Sequence, residues 1–218
     1  MKPPIALLTP MANPTVEREM RQLLPATVDY VVGRLTGPTG DSLARLRSYA
    51  ECLPDQLAQF GGMELGALAF ACTASSYLIG AVGEARIGAA LGVPVIWAAA
   101  AIRSELARRG ARRIAVLSPY PEAIHRAALA YWQAAGLAVV GEERVEIGSA
   151  DTRAIYALTA GDASAACARL AASGADAVLL SGTGMPSLAL LSPDGQPAVL
   201  SSNLCLARRM CEFAEKAE

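Results

Sequence analysis

Cys72 is the side chain of this sequence best placed for chemistry. It closes an apolar run over residues 67–72, and Thr73-Ala74-Ser75-Ser76 leads from it into a helix-forming stretch. Backbone N–H groups at a helix entry favour an anion, which lowers a thiol pKa and also cradles a carboxylate. A thiolate there can add to an electron-poor carbon, and a thiol can deliver a proton to a carbanion. The plainer alternative is a small core cysteine, the usual state of a free thiol. Cys52, Cys167, Cys205 and Cys211 fall within predicted helices, where packing accounts for them.

Four further features qualify as partners. Ser181-Gly182-Thr183-Gly184-Met185-Pro186-Ser187 is a glycine-rich turn after an apolar run, and its backbone can approach an anion closely. It lacks the Lys-Ser/Thr spacing of a nucleotide-binding loop. Tyr120 follows Ser118-Pro119 and either donates its hydroxyl to a carboxylate or packs half-buried. Asn13 either offers its amide to a carboxylate or caps a helix beginning near Val16. His125 is the single histidine; with no Asp or Asn pairing it to Cys72, it reads as solvent-facing or capping, and a Cys-His hydrolase is disfavoured.

The elements that must position these residues alternate between β and α patterns. Strands are predicted over 5–9, 27–35, 67–72, 93–97, 113–118, 138–146, 177–181 and 198–201. Helices are predicted over 16–24, 42–60, 76–91, 99–109, 122–135, 163–173 and 204–217, with Asp41 and Asp162 as caps. Such alternation marks parallel sheets covered by helices. The two halves also resemble each other. Ile5-Ala6-Leu7-Leu8-Thr9-Pro10 matches Ile114-Ala115-Val116-Leu117-Ser118-Pro119, and Ala67 to Thr73 matches Ala177 to Thr183 at nearly the same offset, setting Cys72 against Gly182. A constant offset across two blocks indicates duplication of one α/β unit. Parallel sheets bind ligands at the carboxyl ends of their strands. The ends at Thr9-Pro10, Cys72-Thr73, Ser118-Pro119 and Gly182-Thr183 are therefore expected to converge on one cleft between two lobes. The first lobe is expected to comprise residues 1–100 plus 202–218, the second 101–201.

Composition narrows the functional classes. The chain is 53% hydrophobic and 5% aromatic with a formal net charge of −1, so no bulk charge draws it to nucleic acid or an anionic membrane. The apolar start after Lys2 is far too short to span a bilayer, which makes the cytoplasm the default compartment. Five irregularly spaced cysteines form neither a disulfide framework nor a zinc pair.

Several blocks together resemble the aspartate/glutamate racemase superfamily, in its branch of maleate isomerases and arylmalonate decarboxylases. They are Thr9-Pro10 with Asn13-Pro14-Thr15-Val16-Glu17, Ala71-Cys72-Thr73, Ser118-Pro119-Tyr120, Leu180 to Pro186, and Val199-Leu200-Ser201-Ser202-Asn203. The resemblance implies two pseudo-symmetric Rossmann-like (flavodoxin-like) lobes, a site at their junction without cofactor or metal, a small dicarboxylate substrate, and possible homo-oligomers. In that superfamily two cysteines face each other across the substrate. Cys72 matches the first and Gly182 stands at the second, which counts against racemisation. The resemblance assigns substrate binding to Asn13, Thr73, Tyr120, Gly182 and Thr183. Ala74 stands where decarboxylases carry a second hydroxyl, and an asparagine of maleate isomerases has no clear equivalent near Asp151-Thr152. The implied activity is cis-trans isomerisation of a small unsaturated dicarboxylate through a Cys72 thiolate adduct. The alternatives are an arylmalonate decarboxylase-like reaction with Cys72 as proton donor, or a dicarboxylate-binding protein without turnover.

Overall fold

The computed structural model describes residues 2–216. Eight strands form two parallel four-stranded sheets. The first contains β1 (Ile5–Pro10), β2 (Tyr30–Leu35), β3 (Ala67–Phe70) and β4 (Val95–Trp97) in the order β2-β1-β3-β4. The second contains β5 (Arg113–Ser118), β6 (Ala138–Arg144), β7 (Ala177–Leu180) and β8 (Ala198–Ser201) in the equivalent order β6-β5-β7-β8. The central pair of each sheet is in matching register, Leu8 beside Phe70 and Leu117 beside Leu180. This sheet order is that of a flavodoxin-like fold, and it occurs twice.

Strand composition explains the layering. β1 is buried along its whole length, as expected of a strand covered on both faces. Its alternate residues enter different cores. Ile5 and Leu7 pack with Val16, Met20, Leu206 and Met210, whereas Ala6 and Leu8 join the larger core that continues into the second lobe. The helices are α1 (Thr15–Leu23), α2 (Ser42–Glu51), α3 (Leu53–Leu57), α4 (Thr73–Ala89), α5 (Ala98–Arg108), α6 (Glu122–Ala134), α7 (Ala160–Ala171) and α8 (Ser202–Lys216). The last residue of the helix predicted over 204–217, like the end of the first-lobe segment 202–218, lies outside the described residues. Among the described residues no helix is long and apolar enough to cross a membrane.

Two local expectations need correction. The single helix predicted over 42–60 is broken into α2, α3 and a 3-10 turn at Ala58–Phe60. Pro54, in the first turn of α3, lacks an N–H and its ring opposes the carbonyl four residues earlier, so α2 cannot run on. Asp41 does cap α2, accepting from the N–H groups of Leu43 and Ala44. Asp162 is not the cap of α7. Thr159 is, and Asp162 answers it from the third helical position in a reciprocal capping box.

Candidate active site

The first and third strand ends of both sheets meet at one small cavity. Pro10, Asn13, Cys72 and Ala74 line it from the first lobe, and Tyr120, Thr183 and Gly184 from the second. Leu46 of α2 and Thr152, Ile155 and Tyr156 of a 3-10 turn (Thr152–Ala157) complete the wall. Its volume is about 20 Å³, room for about one water.

Cys72 is the N-cap residue of α4, in extended conformation and 3% exposed. Its sulfur accepts from Ser75 Oγ at 3.2 Å. The expected depression of its pKa is not realised in this closed state. Burial pushes the thiol up, and it outweighs the opposing bonds from the Ser75 hydroxyl and the N–H groups of Ser75 and Ala74. Thr73 Oγ1 is buried outside the cavity lining and lies 3.0 Å from Tyr120 Oη, joining the two lobes. Burial, followed by the proximity of Cys72 and Tyr77, raises the Tyr120 phenol well above its ordinary value, so it is a neutral donor.

Of the two tasks that the sequence left open for Asn13, the structure shows the one at the start of α1. Its Oδ1 accepts from the N–H of Thr15 at 2.9 Å and of Val16 at 3.4 Å, while its Nδ2 reaches Thr183 Oγ1 at 3.5 Å. Thr183 Oγ1 in turn donates to Ala71 O at 2.9 Å. The Gly182 N–H, expected to face a carboxylate, is already donated to Ser202 Oγ at 3.0 Å. Gly182 itself has φ +155°, a conformation that side chains disfavour. A Cβ there would stand 3.0 Å from Pro119 Cγ and Cδ and 3.4 Å from Tyr120 Oη. The loop is thus fitted around the absence of a side chain at this position.

His125 does not face solvent or cap a helix. It is 4% exposed, with Nδ1 2.8 Å from Ser118 Oγ and Nε2 3.7 Å from Glu142. Burial holds its pKa below the ordinary value, and it is not among the residues lining the cavity.

Four residues of the surroundings were not anticipated from sequence. Tyr77 Oη lies 2.6 Å from Ser181 Oγ, tying α4 to the end of β7. Glu19, 2% exposed, accepts from Ser187 N at 2.6 Å, Ser187 Oγ at 2.8 Å and Asn203 Nδ2 at 2.8 Å. Asn203 Nδ2 also donates to Thr183 O at 3.0 Å, and Thr15 Oγ1 to Gly184 O at 2.9 Å. These bonds fix the loop that carries Thr183. Glu19 was detectable in principle, because a charged residue four positions after Thr15 and three after Val16 lies on the buried stripe of α1. Tyr156 of the wall carries no such local signal, and neither does Arg45 of α2, whose Nη2 donates to Thr152 Oγ1 at 3.3 Å. Among the described residues no group of three or more His, Cys, Asp and Glu side chains is arranged to hold a metal ion.

The fold agrees with the relatives of the chain. It belongs to the arylmalonate decarboxylase family, whose model matches residues 56–208. No curated protein sequence matches it. Among solved structures, it is similar to a cysteine-to-serine variant of the Nocardia farcinica maleate cis-trans isomerase with a covalently bound succinylcysteine intermediate. The TM-score is 0.81 at 23% identity, over 97% of this chain and 92% of that one. The maleate isomerase Iso from Pseudomonas putida S16 gives a TM-score of 0.80 at 19% identity, over 97% and 92%. A variant of arylmalonate decarboxylase with one glycine changed to cysteine and one cysteine to serine, in a liganded form, gives 0.80 at 18% identity, over 100% and 94%.

Proposed function

We propose that this protein is an enzyme of small dicarboxylates that works without cofactor and isomerises a cis-unsaturated diacid to its trans form through Cys72. The observation that carries the reading is the convergence of Cys72, Asn13 and Tyr120 on one compact cavity between the lobes, with the buried Thr73 hydroxyl 3.0 Å from Tyr120 Oη behind its wall. A cavity this small admits no diacid as it stands, so any ligand enters only when the lobes part.

The chemistry follows from these groups. In the open, hydrated site the burial penalty on Cys72 is relieved, while the Ser75 hydroxyl and the Ala74 and Ser75 N–H groups still favour the anion, so the thiol loses its proton to solvent. The thiolate forms a bond to one olefinic carbon, and the π pair moves onto the other carbon and its carboxylate as an enediolate. The hydroxyls of Thr73 and Tyr120 donate to that developing charge. Rotation about the new single bond, return of the electron pair and breaking of the C–S bond release the trans diacid and the thiolate. The succinylcysteine carried by the Nocardia farcinica isomerase variant supports thiol addition on this fold.

A second reading uses the same enediolate. With glycine at position 182 and the Cys72 thiol held protonated by burial, loss of CO₂ from a malonate could be followed by protonation from Cys72 on one face only. Incubation with maleate and with phenylmalonate, following fumarate and CO₂, separates the two reactions. Fumarate alone supports isomerisation, CO₂ alone supports decarboxylation, and binding without either product supports a non-catalytic receptor. Cys72→Ala abolishes either reaction; full activity in that variant would sink both mechanisms.

A further inference from the structure

A bound dicarboxylate brings two negative charges into the cleft, and a Cys72 thiolate brings a third. The residues lining the cavity include no cation. Enclosing so much like charge without a counter-charge is strongly unfavourable.

Arg45 on α2 can supply the missing charge. It directly precedes Leu46, which lines the cavity, and its side chain is only 7% exposed. Nη2 donates to Asp151 Oδ1 at 2.9 Å, to Ser42 Oγ at 3.0 Å and to Thr152 Oγ1 at 3.3 Å, and Thr152 lines the cavity too. Nη1 is buried and makes no hydrogen bond of good geometry. Tyr49, whose hydroxyl is within weak hydrogen-bonding reach of Arg45, and Tyr156 each feel the charge of both Arg45 and Cys72, so guanidinium and thiol share the same aromatic neighbours. Asp151 does not depend on Arg45, because Arg153 Nε donates to its Oδ2 at 2.8 Å and Arg153 Nη2 donates to the same oxygen. On the other side, Ser42 and Asp151 border an outer groove of about 470 Å³ that also includes Gly40, Pro121, Ile124 and Ser149. Arg45 therefore lies between Ser42 and Asp151 of that groove and Thr152 of the inner cavity, with Nη1 buried and without a partner of good geometry.

We infer that Arg45 is the anion-recognition residue of this site, exchanging Asp151 for a substrate carboxylate as the lobes open and close. The inference rests on the dicarboxylate reading above and deepens it. It explains how a lining of neutral residues selects a dianion, and why a buried guanidinium has an Nη1 without a partner of good geometry.

The test is calorimetric binding of succinate and of its monoamide, succinamate, to the intact protein. Neither ligand has a double bond, so the result is independent of turnover. Wild type should prefer succinate by about tenfold or more, and Arg45→Gln should reduce that preference to about threefold or less. Asp151→Asn, which frees the guanidinium, should tighten succinate relative to succinamate, and it decides the matter if Arg45→Gln fails to fold. If Arg45 only latches the lobes together, both variants change the two affinities in parallel, and that result overturns the inference alone. Failure of wild type to bind either ligand overturns the dicarboxylate reading and this inference with it.

Discussion

Glu19→Gln tests whether a buried anion holds the glycine-rich loop in place. The Glu19 carboxylate accepts three hydrogen bonds from neutral donors, two from Ser187 and one from Asn203. Glutamine has the same shape and can keep the bond from Ser187 N through its remaining oxygen. Its NH₂ group, however, replaces the oxygen that faces both Ser187 Oγ and Asn203 Nδ2. The hydroxyl can rotate to accept, but Asn203 Nδ2 is left donor against donor. One charge-assisted bond, worth about 1.5–3 kcal/mol, is lost outright, and the others weaken to neutral strength. Relief from burying a charge offsets part of this, leaving a net destabilisation of about 2–4 kcal/mol. For a chain of this size that lowers Tm by about 5–15 °C, measurable by circular dichroism or calorimetry. Ligand affinity should fall as well, because Asn203 and Ser187 fix the segment bearing Thr183. A Tm within about 2 °C of wild type would refute the argument that the carboxylate organises the loop.

Gly182→Ala should cost about 1–3 kcal/mol, since it forces a side chain into a disfavoured conformation 3.0 Å from the Pro119 ring. The same Cβ crowds Tyr120 Oη, so turnover should fall further than stability; unchanged Tm and kcat would contradict the geometry. His125 sets a pH dependence of stability. Its folded pKa is depressed below the ordinary 6.5 by burial, so the unfolded chain binds the proton more readily and stability declines as pH falls below 6.5 toward the folded value. Urea midpoints between about pH 5 and 7.5 should show that decline in wild type and a shallower one in His125→Gln, and equal slopes would be the failing result.

The parts of this site that were legible in the sequence are those set by local pattern and by repetition. Apolar runs ending in Cys72-Thr73 and Gly182-Thr183 identified equivalent strand ends, because a buried parallel strand shows its limits within a few residues. The match between the halves then paired those ends, and the two sheets share one strand order. What escaped depends on contacts between distant residues. Arg45 reads as an ordinary helical arginine until the fold brings α2 against Asp151 and Thr152. Tyr77 reads as a packing aromatic until α4 meets Ser181. Cys72 was correctly placed at a helix entry, but the direction of its pKa was not legible, because the N–H groups are a local property and the degree of burial is not. The break near Pro54 was the exception, a local signal overlooked within a strong helical period.

The route of α8 has a consequence for how the molecule holds together. The chain completes its second sheet at Ser201 and then returns, so that Leu206, Ala207 and Met210 cover Ile5, Leu7 and Ala69 of the first. Sequence order and structural completeness are therefore out of step. A nascent chain that has emerged through β4 already holds every strand of the first sheet, yet one face is covered only in part, by Val16 and Met20 of α1, until α8 is made. Cut between the halves, the N-terminal piece would expose that face and the C-terminal piece would carry its cover. Through α8 the two halves are interlocked rather than merely joined end to end.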